Sequence, residues 1–255
     1  MSDRDDLLRL VIPRRWVLAG SVATLGVLAA ARPMLAEGGE GGESGAAVGL
    51  EGDAGFLVEL GLFEATHLIV AALYAEGATA RAQEHLELSH HAYYEDLEHE
   101  LEDHGAVQFE AEAEAFAEAV ATGADAATVA GAADAVLAAI VAARRPANAK
   151  GRMQAAERLV RLAADDFAGG VDGGKVAEPQ EYRDAWGFAE AARRMMAELA
   201  QSPDAAVAEA GKGGLAALEP VAALFPALTA ETVPGEPSVL AGAAARIEIA
   251  GLSLD

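Results

Sequence analysis

Residues 37–118 contain six histidines and twenty carboxylates, and Arg81 is the sole Lys or Arg among them. Residues 119–255 carry eighteen acidic and twelve basic groups and no histidine. Imidazole and carboxylate, in a chain without cysteine, make the donor set accepted by Fe, Mn, Zn, Cu and Ni. Three pairs have the spacing that places an acid and a histidine on one helical face, as in di-iron carboxylate bundles: Glu64 with His67, Glu87 with His90, and Asp96 with His99. About a quarter of the region is acidic, so composition alone supplies one or two such pairs.

His67 is the most informative of the six. Leu60, Phe63, Val70 and Tyr74 share its stripe at steps of three and four, so its imidazole is expected to be buried and to need a partner. That partner is either a neighbouring carboxylate or carbonyl, making His67 a core residue, or a metal. A cage of His67, His85 and His90 with Glu64 and Glu87, drawn from adjacent helices, would be shielded and rigid. Downstream, His91, Glu95, His99 and Asp103 fall at steps of four, an alternating ladder on one face. It reads either as a solvated salt-bridged surface or as a set of weak, exchangeable metal sites.

Other chemistries lack their residues. Without cysteine there is no thiolate zinc site, Fe–S cluster, thiol nucleophile or disulfide framework. No Gly-x-Ser-x-Gly elbow occurs. The glycine-rich stretch Gly169–Gly174 lacks the Lys-Ser/Thr ending of a phosphate-binding loop and reads as a connection between helices. A net charge of −23 on 255 residues argues against nucleic acid or an anionic membrane surface as a partner.

These candidate ligands must be held by helices. The 53% apolar content is mostly Ala, with 5% aromatics, a composition that favours close-packed helices over sheet. Apolar periodicity predicts helices over Phe56–Glu76, Thr79–Leu88 and His91–His104 as one stretch broken near Ser89, then Ala106–Thr122, Asp125–Arg144, Arg152–Phe167, Pro179–Leu199, Pro203–Leu218 and Ser238–Ala250. The first is apolar nearly all round and is expected to be the central element. The fold class is therefore all-α, an antiparallel bundle of about seven or eight helices, with no convincing strand.

Ahead of the bundle, Arg14-Arg15 precedes sixteen uncharged, mostly apolar residues, Trp16 to Ala31, and a small-residue exit near Ala36. This is the pattern of an export signal over residues 1–36, and it partly matches a twin-arginine signal; ordinary secretion and an uncleaved anchor are the other routes to the periplasm. Residues 37–55, rich in Gly and Glu, read as a flexible linker. A His/Glu-rich helical half over 56–145 and a second helical half over 146–255 follow, divided near Pro146.

The stretch from Leu159 to Val176, with Glu181-Tyr182-Arg183-Asp184 and Phe188 after it, resembles the periplasmic helical region of bacterial high-affinity iron permeases. There a helix, a short glycine-containing turn and a Glu-Tyr opening of the next helix recur. His91-Ala92-Tyr93-Tyr94-Glu95 with Glu98 is similar to an upstream segment of that region, so the resemblance spans roughly residues 90–200. The permease's membrane helices and Arg-Glu-Gly-Leu-Glu motifs do not occur in this sequence, so only an iron-related helical domain is implied, not transport. Imelysin-like iron-uptake proteins offer a looser likeness, although their Gly-x-His-x-x-Glu motif is missing and the order around His67 is reversed.

Together these readings predict an exported helical protein that binds a divalent metal, most plainly iron, for uptake or buffering, and that works with an inner-membrane metal permease. Its site would comprise His67, His85, His90, Glu64 and Glu87, with His91, Glu95 and His99 as weaker ligands. A metal-free structural or interaction bundle and a di-iron ferroxidase-like enzyme are the competing expectations.

Overall fold

The computed structural model describes residues 50, 52–89 and 91–254, so the expected export signal and most of the expected linker lie outside the described residues. The described chain is helical almost throughout: α1 (Asp53–Ala75), α2 (Thr79–Leu88), α3 (Tyr94–Asp103), α4 (Glu110–Ala121), α5 (Ala126–Ala143), α6 (Ala149–Gly170), α7 (Pro179–Ala200), α8 (Ala205–Leu218) and α9 (Ser238–Gly251). Among the described residues one 3₁₀ segment, Glu219–Leu224, follows α8.

Local chemistry sets several of these boundaries. Asp125, Asn148 and Asp204 each accept hydrogen bonds from backbone amides of the first turn of α5, α6 and α8. Pro179 opens α7, where its missing N–H leaves no bond unmade. Ser89 is extended at ψ 123°, and its hydroxyl pairs with Thr66 Oγ1 at 2.8 Å and accepts from the His91 amide at 3.3 Å. That side chain competes with the helical ladder and separates α2 from α3, giving nine α-helices among the described residues where seven or eight were expected.

Two further departures are local. α1 begins at Asp53, inside the expected linker, because the Asp53 carboxylate is tied down by the Asn148 amide at 2.9 Å and the Asn148 side chain at 2.7 Å. The glycine-rich connection is a small antiparallel hairpin, β1 (Val171–Asp172) with β2 (Lys175–Val176). Its turn residues Gly173 and Gly174 both have positive φ, 57° and 78°, as a two-residue hairpin turn demands. The Val176 amide then bonds the Glu231 carbonyl at 3.0 Å, which anchors the segment before α9.

Helices α6, α7, α8 and α9 form a closed ring of neighbours, α6 on α7, α7 on α8, α8 on α9 and α9 on α6. α1 lies along α6 and α7 and also packs on α2, α3 and α5, so it is the central element and is buried along most of its length. The close approach of α1 to α7 depends on Gly187, where a methyl group would stand 2.6 Å from Ile69 Cδ1. By length and composition α1 and α5 could each cross a membrane; 89% of the apolar window of α1 is buried within the fold, against 33% of that of α5.

Candidate functional site

α1 carries the first predicted pair, and packing gives its two members different tasks. Glu64 is fully buried, and its carboxylate accepts from Arg144 Nη2 and from Arg194 Nε at 2.8 Å. Arg144 follows α5, and Arg194 lies on α7. Glu198 extends the chain of charges, 3.6 Å from Arg144 Nη1 and 3.7 Å from Arg152 Nη1. Burial raises the Glu198 carboxyl above the usual carboxylate range, against the pull of Arg144. A carboxylate with each oxygen bonded to a guanidinium has little left for a cation. Glu64 therefore does not fit the role of metal ligand in this arrangement.

His67 is equally buried. Its Nδ1 lies 2.8 Å from the Phe63 carbonyl oxygen, which can only accept, so Nδ1 carries the proton and Nε2 the lone pair. The ring sits between those of Phe63 and Phe116, at centroid distances of 4.2 and 5.0 Å. Burial pushes the imidazole down to about 4, outweighing the Phe63 carbonyl and Glu64, which act the other way.

His85, on α2, is fully buried as well, with Nε2 3.4 Å from Asp184 Oδ1 on α7. Neither ring nitrogen makes a hydrogen bond among the described residues. Burial, reinforced by the nearby Arg183, pushes this imidazole to about 4. His90 lies outside the described residues, and Glu87 is exposed at the end of α2. The structure thus places Glu64 and His67 on α1 and His85 on the neighbouring α2, with Glu64 bonded to two arginines, His67 Nδ1 to the Phe63 carbonyl, and His85 facing Asp184.

The ladder is interrupted. α3 starts at Tyr94, so His91 precedes the helix and leaves the shared face; it borders a pocket between α1 and α3 instead. Glu95 and His99 are exposed, and His99 pairs with Asp103 across 3.7 Å of open surface. Among the described residues, no three His, Asp or Glu side chains are grouped so as to hold a metal ion.

Sequence reasoning passed over the residues that do gather. Glu59, Glu100 and His104 border the same pocket of about 470 Å³ as His91. His104 stacks on Phe56 at 4.5 Å, with Nδ1 3.9 Å from Asp53 and Nε2 3.9 Å from Glu100. Glu100 and His104 are four apart on one helical face, which was the available signal. Glu59 joins them only because α3 lies against α1, and no spacing reveals that.

The ring α6–α7–α8–α9, with the last turn of α5 leading into it, is what a search of protein families recovers. Residues 142–250 match the iron permease-associated 4-helix bundle domain. No curated protein and no solved structure matches the chain. The matched bundle domain contains the Leu159–Val176 and Glu181–Phe188 segments on which the iron-permease resemblance rests. Its limits lie further toward the C-terminus than residues 90–200, and the His91–Glu98 segment falls outside it. All six histidines lie outside it too, whereas Arg144, Arg152, Arg194 and Glu198 belong to it, so Glu64 supplies the bundle domain with a carboxylate from beyond its own boundary.

Proposed function

We propose that this chain is an exported helical accessory of iron uptake. In this reading its bundle domain works alongside a membrane iron permease, and its acidic, histidine-bearing N-terminal half gathers iron cations as cargo. The observation that carries the reading is the match of residues 142–250 to a domain associated with iron permeases. The charge distribution supports it independently: the −19 net charge of residues 37–118 draws cations toward the half that holds every histidine.

The reading does not rest on a cage built from Glu64 and His67, because the Glu64 carboxylate is bonded to two arginines and His67 Nδ1 to the Phe63 carbonyl. Among the described residues, imidazole and carboxylate also meet at His85 with Asp184, in the α1/α3 pocket and at the exposed His99–Asp103 pair. A di-iron oxidase would need four or more carboxylates and imidazoles converging in a bundle core; the Glu64 carboxylate is committed to two arginines instead.

Two measurements test the proposal. Loss of the chain from its native cell is expected to lower uptake of radiolabelled iron at limiting supply, with the chain itself recovered in the exported fraction. Uptake unchanged by its loss overturns the iron reading in favour of a metal-free interaction protein.

A further inference from the structure

Arg81 is the one basic residue in the acidic stretch 37–118, and the fold sets it beside another cation. Arg81 of α2 and Arg183 of α7 both line a cavity of about 390 Å³, walled otherwise by β2, the start of α7 and residues 228–231. Arg183 is 7% exposed. Its side chain makes one hydrogen bond among the described residues, from Nε to the Leu228 carbonyl at 3.4 Å, and neither arginine forms an ion pair among them. Burial, and then the Arg81 charge, push the Arg183 guanidinium below its usual range, against the pull of Glu84, Asp184 and Glu76. Those carboxylates act from beyond ion-pair distance; Asp184 faces His85, and Glu76 accepts the Leu228 amide. A buried guanidinium whose Nη groups have no protein acceptor is costly to hold, and nothing in helix packing calls for a second guanidinium next to it.

We propose that this cavity binds a small organic monocarboxylate, its carboxylate on the Nη groups of Arg183 with Arg81 alongside, and its apolar body against Leu88, Val176 and Leu228. A guanidinium presents parallel N–H donors that match a planar carboxylate, and the bond is strongest where water is excluded. The volume falls in the range of small-molecule sites, about 300–1,000 Å³. Leu88, 57% exposed, leaves a large apolar side chain bare at the mouth, where a ligand's hydrocarbon part would cover it. Glu84, Glu178 and Glu231 also line the cavity, and all three are exposed. Water screens their charges, whereas that of Arg183 acts from the interior. They limit the ligand's charge: a single carboxylate is admitted, and a phosphate dianion or a tricarboxylate is repelled.

The site stands apart from the iron-uptake reading, and its test does not depend on iron. Saturation-transfer NMR on the full chain uses 4-methylpentanoate as the probe and 3-methylbutylamine, the same apolar body carrying a cation, as its counterpart. The carboxylate is expected to bind and the amine to give no signal. Titration is expected to show Arg183→Gln weakening 4-methylpentanoate at least tenfold, the loss of a charge-assisted bidentate contact. Arg81→Gln, at an exposed side chain with no bond to lose, is expected to weaken it about threefold or more. Arg246→Gln, which removes an exposed cation of α9 that does not line the cavity, is expected to weaken it less than twofold. Melting curves verify folding, and if Arg183→Gln fails to fold, Arg81→Gln against Arg246→Gln decides. No binding of the carboxylate by the native chain, equal binding of the amine, or equal weakening by Arg81→Gln and Arg246→Gln overturns the site. Tighter binding of phosphate or citrate than of 4-methylpentanoate overturns its assignment to a singly charged acid.

Discussion

The two halves of the molecule are held together by different kinds of contact. In the N-terminal half, rings connect helices that otherwise touch sparingly. Phe63 of α1 meets Tyr94 of α3 at 6.4 Å and Phe109, just before α4, at 5.8 Å, while His67 meets Phe116 of α4 at 5.0 Å. In the bundle domain the closest helix approaches are made at glycine. A methyl group on Gly211 of α8 would lie 2.7 Å from the Leu199 carbonyl carbon and 2.9 Å from Ala200 Cα of α7, so the two backbones pack almost directly. Aromatic rings gather at one place there, where Phe167, Tyr182 and Phe225 meet at 5.5 to 6.3 Å. Large rings bridge wide gaps and leave room for a pocket between α1 and α3, whereas glycine and alanine close the gaps and fix helix spacing.

This difference can be broken experimentally at its strongest point first. Phe116→Ala removes a fully buried ring from the side of His67, and a loss of about 4 kcal/mol is expected from the cavity it leaves. Denaturant unfolding measures it, and a loss below about 1 kcal/mol would mean that the rings are not what holds α4 to α1.

Gly211→Ala attacks the other kind of packing. Because the added methyl meets backbone that cannot rotate away, about 2–3 kcal/mol of destabilisation is expected, at the upper end of ordinary overpacking. Hydrogen exchange should then report faster opening of α7 and α8 than of α1. Unchanged stability would show that the α7–α8 spacing is slack.

A milder test uses pH, since every histidine lies outside the bundle domain. His67 and His85 are held near 4 in the folded protein, below the ordinary value of 6.5, so unfolding takes up protons between those limits. The stability that their neutral burial carries is complete above pH 6.5 and is lost as pH falls from 6.5 toward 4. From pH 7 to 5.5 each ring accounts for about 1 kcal/mol, and the melting temperature falls accordingly. His67→Phe and His85→Phe should each flatten this slope by about half; a slope untouched by either variant would place the titration elsewhere.

Much of the architecture was legible because it is local. The apolar circumference of α1, the caps at Asp125 and Asp204 and the proline at the start of α7 each act within a turn or two of their own position, and the helices formed near where those signals lie. The hairpin at Gly173-Gly174 was also local, but four strand residues are too few for a periodic pattern and the helical surroundings outweighed them. The site was legible only in part. That Glu64 and His67 share a buried face follows from spacing, but the partners of Glu64 lie 80 and 130 residues away. Arg144 and Arg194 carry no local mark that distinguishes them from surface arginines. Likewise His91 left the ladder because Ser89 and Thr66 found each other across 23 residues, a contact between elements rather than along one.

Glu64 also bears on where the bundle domain ends as a physical object. Its family match begins at residue 142, yet the guanidinium of Arg144, 1% exposed, takes its closest counter-charge from α1. A fragment cut at the match boundary would keep that arginine and Glu198, 3.6 Å from its Nη1, while discarding the carboxylate that bonds its Nη2, and losing one partner of a buried charge network is costly. Similarity and folding thus draw different borders through this chain: the segment that matches the family is four helices long, and the charge network in its interior reaches into a fifth.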